Sequence, residues 1–181
     1  MADGDAPGAA LRDLVAEAVG VEGSDAGALD ADLVVRGEDP GPADRLRALV
    51  AGGDSLVGVV PRADPDLARR LLGNADGMTE DGGDGTPGDG RTVRLVFTGR
   101  AADRLAGASG RVLRSVLAER GIDAHRHDGD SPIGVLLVGD RAAVGLFDER
   151  GLAALLWSDA PAVREWAAET CRRYLSAADR V

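Results

Sequence analysis

The stretch that most limits what this chain can fold into lies near its end, in "SPIGVLLVGDRAAVGLFDERGLAALLWSDAP". Three apolar runs, PIGVLLVGD, AAVGLFD and LAALLW, follow one another with only short polar turns between them. The first turn is Gly139-Asp140-Arg141, and the second ends at Gly151. A parallel crossover connection needs a dozen residues or more, so neighbours this close must pair antiparallel. The expectation is antiparallel pairing for the strands after residue 122.

Upstream, strands and helices alternate. DLVVRG reads as a strand leading into the turn GEDPGP, where Pro42 can open the helix PADRLRALVAG. SLVGVVP reads as a buried strand, and ADPDLARRLLG as a helix with Asp64 as cap and Pro65 at its first position. RTVRLVFTG is a further strand, residues 101–120 a helical region broken at GASG, and IDAHRH another strand. A closing helix, capped by Asp159, places Val163, Trp166, Ala167, Thr170, Cys171, Tyr174 and Ala178 on one face, with Arg164, Glu165, Glu169, Arg172 and Arg173 on the other. The fold class expected is a single α/β domain with a mixed parallel and antiparallel sheet, flanked by helices and ended by this amphipathic helix. Residues 1–28 are expected to form one short helix and a flexible acidic linker. Residues 29–181 then form the domain, with a disordered acidic insertion at 74–90.

Composition narrows the function classes. All 21 cations are arginines; there is no lysine and no glutamine, and the formal net charge is −10. A GC-rich genome and a salt-rich cytoplasm together account for that bias, so the expected source is haloarchaeal and acidity is a general surface property. In molar salt, exposed charges are screened beyond roughly 3 Å. No apolar run is long enough to span a bilayer, and the acidic start is not a signal peptide; a cytoplasmic protein with no membrane partner is expected. The single cysteine rules out an internal disulfide and a cysteine-based zinc site. No segment clusters arginines without interleaved acids, which argues against direct nucleic-acid binding by this chain.

Candidate chemistry is sparse. Gly83-Asp84-Gly85-Thr86-Pro87-Gly88 matches G-x-G-x-x-G in form but follows no strand and opens no helix. His125 and His127 share a strand face by the two-residue period. They could share one metal ion, with Asp128 or Asp130 completing the set, but no third histidine exists. No serine lies in a G-x-S-x-G elbow. Catalytic and metal roles are therefore not assigned, and no cofactor is expected. Polar residues at strand ends, where open α/β sheets bind ligands, are better candidates. They include Arg36 with Asp39, Arg62, Thr98 with Arg100, Asp140 and Asp148. Turn chemistry explains Asp140, whereas Arg62 and Arg100 suit an anionic ligand. The candidate ligand-binding set is Arg62, Thr98, Arg100, His125, His127 and Asp148.

The order of elements, carried by DSLVGVVPRADPDLARRLL, RTVRLVFTGRAADRL and the run from SPIGVLLVGD to ETCRRYL, resembles the signal-input domain of archaeal winged-helix transcriptional regulators. These are the haloarchaeal relatives of the methanogenesis filament regulator and, more distantly, the TrmB-type regulators. Pro132, Gly145-Leu146-Phe147-Asp148, Ser158-Asp159-Ala160-Pro161 and Glu165-Trp166 carry its most specific part. The resemblance implies a sensor domain distantly like phospholipase D, which binds a small-molecule effector or a partner regulator, dimerises, and acts on transcription indirectly. The H-x-K-x₄-D nucleophile motif of phospholipase D enzymes is impossible without lysine, and the three helices and hairpin of a winged helix do not fit in the first 31 residues. The expected function is thus a non-enzymatic sensor domain, a homodimer working with a DNA-binding partner regulator. The alternatives are a metal-assisted hydrolase using His125 and His127, or a purely structural interaction module.

Overall fold

The computed structural model describes residues 6–21, 29–52, 55–62 and 92–181. The expected helix at 63–73 and the insertion at 74–90 lie outside these residues. Strands β1 (Asp32–Val35), β2 (Ser55–Val60), β3 (Thr92–Phe97), β4 (Ile122–Arg126), β5 (Ile133–Val138), β6 (Arg141–Asp148), β7 (Gly151–Ser158) and β8 (Asp179–Arg180) form one sheet. Their spatial order is β1-β7-β6-β5-β2-β3-β4-β8. The helices among the described residues are α1 (Ala6–Ala18), α2 (Pro42–Ala51), α3 (Gly99–Leu105), α4 (Gly107–Glu119) and α5 (Pro161–Ser176).

The mixed α/β sheet expected from the sequence is present. β5, β6 and β7 pair antiparallel through tight turns, and β1 adds to β7 antiparallel. β4 is the exception to the antiparallel expectation: it runs parallel to β3, with Val93 opposite Ile122 and Phe97 opposite Arg126. The reason is the chain between them, since α3 and α4 supply a helical crossover of the length a parallel pair requires. The strand then leaves the edge and returns as β5 on the other side of β2, antiparallel to it.

Both sheet faces are covered. On one, α1 and α5 pack Leu11, Val15, Val163, Ala167 and Cys171 against Val59, Val96, Val135, Val144 and Leu156. Leu11, Val15, Val144, Leu156 and Val163 have no exposed surface; cutting such a leucine to alanine costs about 2–5 kcal/mol. On the other face, α2 packs Leu46 and Val50 against Val34, Leu56, Leu136, Val138, Leu155 and Trp157. A third cluster seats α3 and α4 through Ala101, Leu105 and Leu117 on Phe97, Ile122 and Ala124.

Two local expectations change. α5 begins at Pro161 after Ala160, with no side-chain cap, so Asp159 does not cap it. Ser158 does the nearest equivalent work: buried at the end of β7, its Oγ accepts from the Ala160 N–H at 3.0 Å and donates to the Asp30 carbonyl. Pro42 opens α2 as expected, and the break near GASG falls at Ala106, between α3 and α4.

Candidate functional site

The parallel strands β2, β3 and β4 all end at the same edge of the sheet, and antiparallel pairing brings the start of β5 and the end of β6 there too. Pro61-Arg62, Thr98-Gly99, the segment 127–132 and Asp148 therefore meet along one rim. Backbone bonds stitch it together. Thr98 N–H donates to the Val60 carbonyl at 3.1 Å, Ala101 N–H to the Pro61 carbonyl at 3.3 Å, and His127 N–H to the Phe97 carbonyl at 2.9 Å.

Arg62 and Asp148, far apart in sequence, are brought into contact. Arg62 Nη1 donates to the Asp148 backbone carbonyl at 2.6 Å. The Asp148 carboxylate is held from the other side by Arg36, through Nη1 at 2.6 Å and Nη2 at 2.9 Å, and accepts the Arg150 N–H at 2.8 Å. The Arg36 hydrogen bonds hold the Asp148 carboxyl below its ordinary range, and Asp148 in turn raises Arg36. Such a planar two-point pair fixes orientation as well as charge.

Thr98 is the other notable group. It has no exposed surface, yet its Oγ1 has no hydrogen-bond partner among the described residues. It precedes α3 in extended conformation, and its hydroxyl makes no cap bond. Next to it, Gly99 adopts φ +48, where glycine is favoured, and donates its N–H to the Gly129 carbonyl at 3.1 Å. A Cβ there would come within 2.3 Å of Asp130 Oδ1. Asp130 in turn accepts the Ser131 N–H at 2.8 Å, and buried Ser131 Oγ donates to the Ile133 carbonyl at 2.7 Å. Arg100 is exposed on α3, with its side chain paired to no carboxylate among the described residues.

The histidines lie apart from the arginine pair, on the sheet face under α5. His127 follows β4; its Nδ1 accepts the Gly129 N–H at 2.8 Å, and its ring meets Tyr174 of α5 edge-on at 5.0 Å. His125 sits mid-strand, with Nε2 3.3 Å from Asp123 Oδ1. Asp123 Oδ2 also accepts from Arg94 Nε at 2.8 Å, and Arg180 Nε lies 3.0 Å from Oδ1 as an ion pair without a hydrogen bond. Burial pushes the Asp123 carboxyl up, but Arg94, His125 and Arg180 outweigh it, so the net shift is downward. This cluster fastens β8 to the edge of β4, where His125 faces Arg180 and Arg126 faces Asp179. Among the described residues, no three of histidine, cysteine, aspartate and glutamate gather as a metal site would require.

Sequence reasoning missed Asp123, Arg94 and Arg180, since a carboxylate between two strand arginines has no linear signature. It also missed a shallow cavity of about 380 Å³ at the opposite sheet edge, walled by Arg45 and Arg141. Arg45 lies over the Trp157 ring at 4.6 Å.

Residues 86–177, half of the chain, match the model of the methanogenesis regulatory protein FilR1, middle domain. The chain belongs to this family. Among solved structures it is similar to TrmBL2, described as an archaeal chromatin protein with a novel mode of DNA binding. The identity is 11% and the TM-score 0.55, covering 87% of this chain and 58% of that one. NucT from Helicobacter pylori is similar at 13% identity and a TM-score of 0.57, covering 83% of this chain and 98% of that one. At such identities the likeness is one of fold, and it bears out the expected phospholipase-D-like mixed sheet. The chain spans somewhat over half of TrmBL2. No curated protein matches its sequence.

Proposed function

We propose that this regulator-family domain is a non-enzymatic sensor that takes a small anionic effector at the rim and acts on transcription indirectly. The observation that carries the reading is Thr98, a fully buried hydroxyl without a partner among the described residues, at the carboxyl end of parallel strands. Open α/β sheets receive ligands at that end, and a buried polar atom without a partner calls for an explanation. Arg62 and Arg100 supply positive charge beside it. The Arg36–Asp148 pair is the element such a ligand would re-partition, because an anion that draws Arg62 away loosens its hold on the Asp148 backbone.

His127 lines the flank of the same rim through its bond to Gly129, while His125 belongs to it only at a distance, engaged with Asp123. The domain functions in this reading as a homodimer whose packing the effector biases, since a ligand shifts an equilibrium only by its differential affinity for the two states. A DNA-binding partner regulator reads out that change, in a haloarchaeal cytoplasm. Thermal-shift measurements across carboxylated, phosphorylated and neutral metabolites test this reading. An anionic compound raises the midpoint in the wild type and not in Arg62→Ala; a shift that Arg62→Ala retains in full, or stabilisation by neutral compounds alone, refutes it.

A further inference from the structure

The charge of this molecule is unevenly placed. Residues 99–120, which hold α3 and α4, carry five arginines against two acids, while the rest of the chain carries sixteen arginines against twenty-nine acids. One of the five is structural: Arg114 is half-buried and bonds the Leu105 carbonyl, tying α4 back to α3. Arg100, Arg104 and Arg111 are exposed, and none of them pairs with a carboxylate among the described residues. Neither helix has an acid in its first turn to offset them. In their midst Val112 is 69% exposed, the most exposed large apolar side chain among the described residues. Ala106, Gly107 and Ala108 leave the backbone beside it open.

We infer that the outer face of α3 and α4 docks an acidic, apolar-bearing segment of another protein. Arginine around an apolar centre is the composition of a protein interface, where other charged residues are depleted. Against a nucleic-acid backbone, the net charge of −10 opposes a duplex more than a short peptide. A second copy of this chain does not fit either, because a two-fold contact sets a face upon itself and would place arginine against arginine. Arg100 borders both this face and the rim, whereas Arg104, Arg111 and Val112 take no part in the rim, so variants at those three test the docking face independently of the effector.

The full chain tests it, with fluorescence anisotropy at about 0.1 M salt, where exposed charges still act over roughly 10 Å. The probes are a labelled helical peptide of alternating glutamate and leucine clusters and, separately, a 20-base-pair DNA duplex. The wild type binds the peptide, and both R104E/R111E and V112D weaken binding at least tenfold while leaving the unfolding midpoint within a few degrees. Val112→Ala, which keeps the charge and trims the apolar centre, gives a smaller loss. Three results overturn the inference: no peptide binding by the wild type, peptide binding indifferent to R104E/R111E, or duplex binding through the same arginines tighter than peptide binding. A change in sedimentation of the protein alone on R104E/R111E overturns it in favour of self-association.

Discussion

Replacing Thr98 with valine separates what the rim is for from what the fold needs. Thr98 has no exposed surface, and its Oγ1 is unpartnered among the described residues. Its φ of −123 and ψ of 166 suit a β-branched residue, and its side chain makes no cap bond to α3. Valine therefore fits the same space and forfeits no bond. An unsatisfied buried hydroxyl costs about 1–3 kcal/mol, so Thr98→Val is expected to stabilise the empty protein by roughly 1–2 kcal/mol. For a chain of this size each kcal/mol moves the thermal midpoint by about 2–4 °C. Urea denaturation at neutral pH reads the change directly, as a higher midpoint at unchanged slope. Under the sensor reading the same variant loses the effector-induced shift, so apo stability rises as liganded stabilisation falls. A variant that is destabilised by a kcal/mol or more would show that the hydroxyl already has a partner, and the argument for a ligand there would collapse.

Three further outcomes follow from the packing and the charges. Gly58 on central β2 has no room for a side chain, since a Cβ would lie 2.1 Å from Leu136 Cδ2 and 2.9 Å from the Val135 carbonyl; Gly58→Ala should cost about 1–3 kcal/mol by overpacking, and a neutral result in denaturation would refute that. Asp148 has its folded pKa depressed by Arg36, so its contribution is present above the unfolded value of about 3.9 and fades as pH falls through the folded one. Because the pair is half exposed, Asp148→Asn should cost under about 1 kcal/mol near neutrality, with the deficit shrinking below about pH 4 and in high salt; a deficit that grows on acidification contradicts the pairing. Cys171 is buried, with Sγ 3.8 Å from the Val135 carbonyl and its thiol pushed up to about 12 by burial, so a thiol reagent at pH 8 should label it only after unfolding. Labelling of the native protein at the rate of a free thiol would place it at the surface instead.

Much of the fold is legible in the chain because its signals are local. The apolar face of α5 reads correctly from its period, and its Val163, Ala167, Thr170 and Cys171 are buried. Tight turns made β5, β6 and β7 antiparallel, and Pro42 marks the start of α2. Two expectations were misread. Asp159 looks like a helix cap, but buried Ser158 meets the first amide instead. β4 looks like one more antiparallel strand, but the helices before it carry the chain over to a parallel position. In each case a neighbouring segment decided: Ser158 sits two residues from the amide it meets, and the helices joining β3 to β4 set the direction of β4. Of the candidate site, Arg62 and Asp148 were legible as strand-end residues, although nothing in the spacing of positions 62 and 148 announces their contact.

His125 and His127 illustrate the limit most clearly. Alternation along a strand puts both on one face, and that much needs no coordinates. Which face it is, and that Tyr174 meets one ring while Asp123 holds the other, depends on α5 crossing the sheet and β8 closing its edge. The amino-acid sequence alone determined the elements, the absence of lysine chemistry and the family resemblance, because periodicity, composition and motif are properties of neighbours along the chain. The tertiary structure decided the strand order, the convergence of the rim, the burial of the Thr98 hydroxyl and the arginine face of α3 and α4. Those arise only when segments distant in sequence are pressed together and their side chains must share, or fail to find, the same partners.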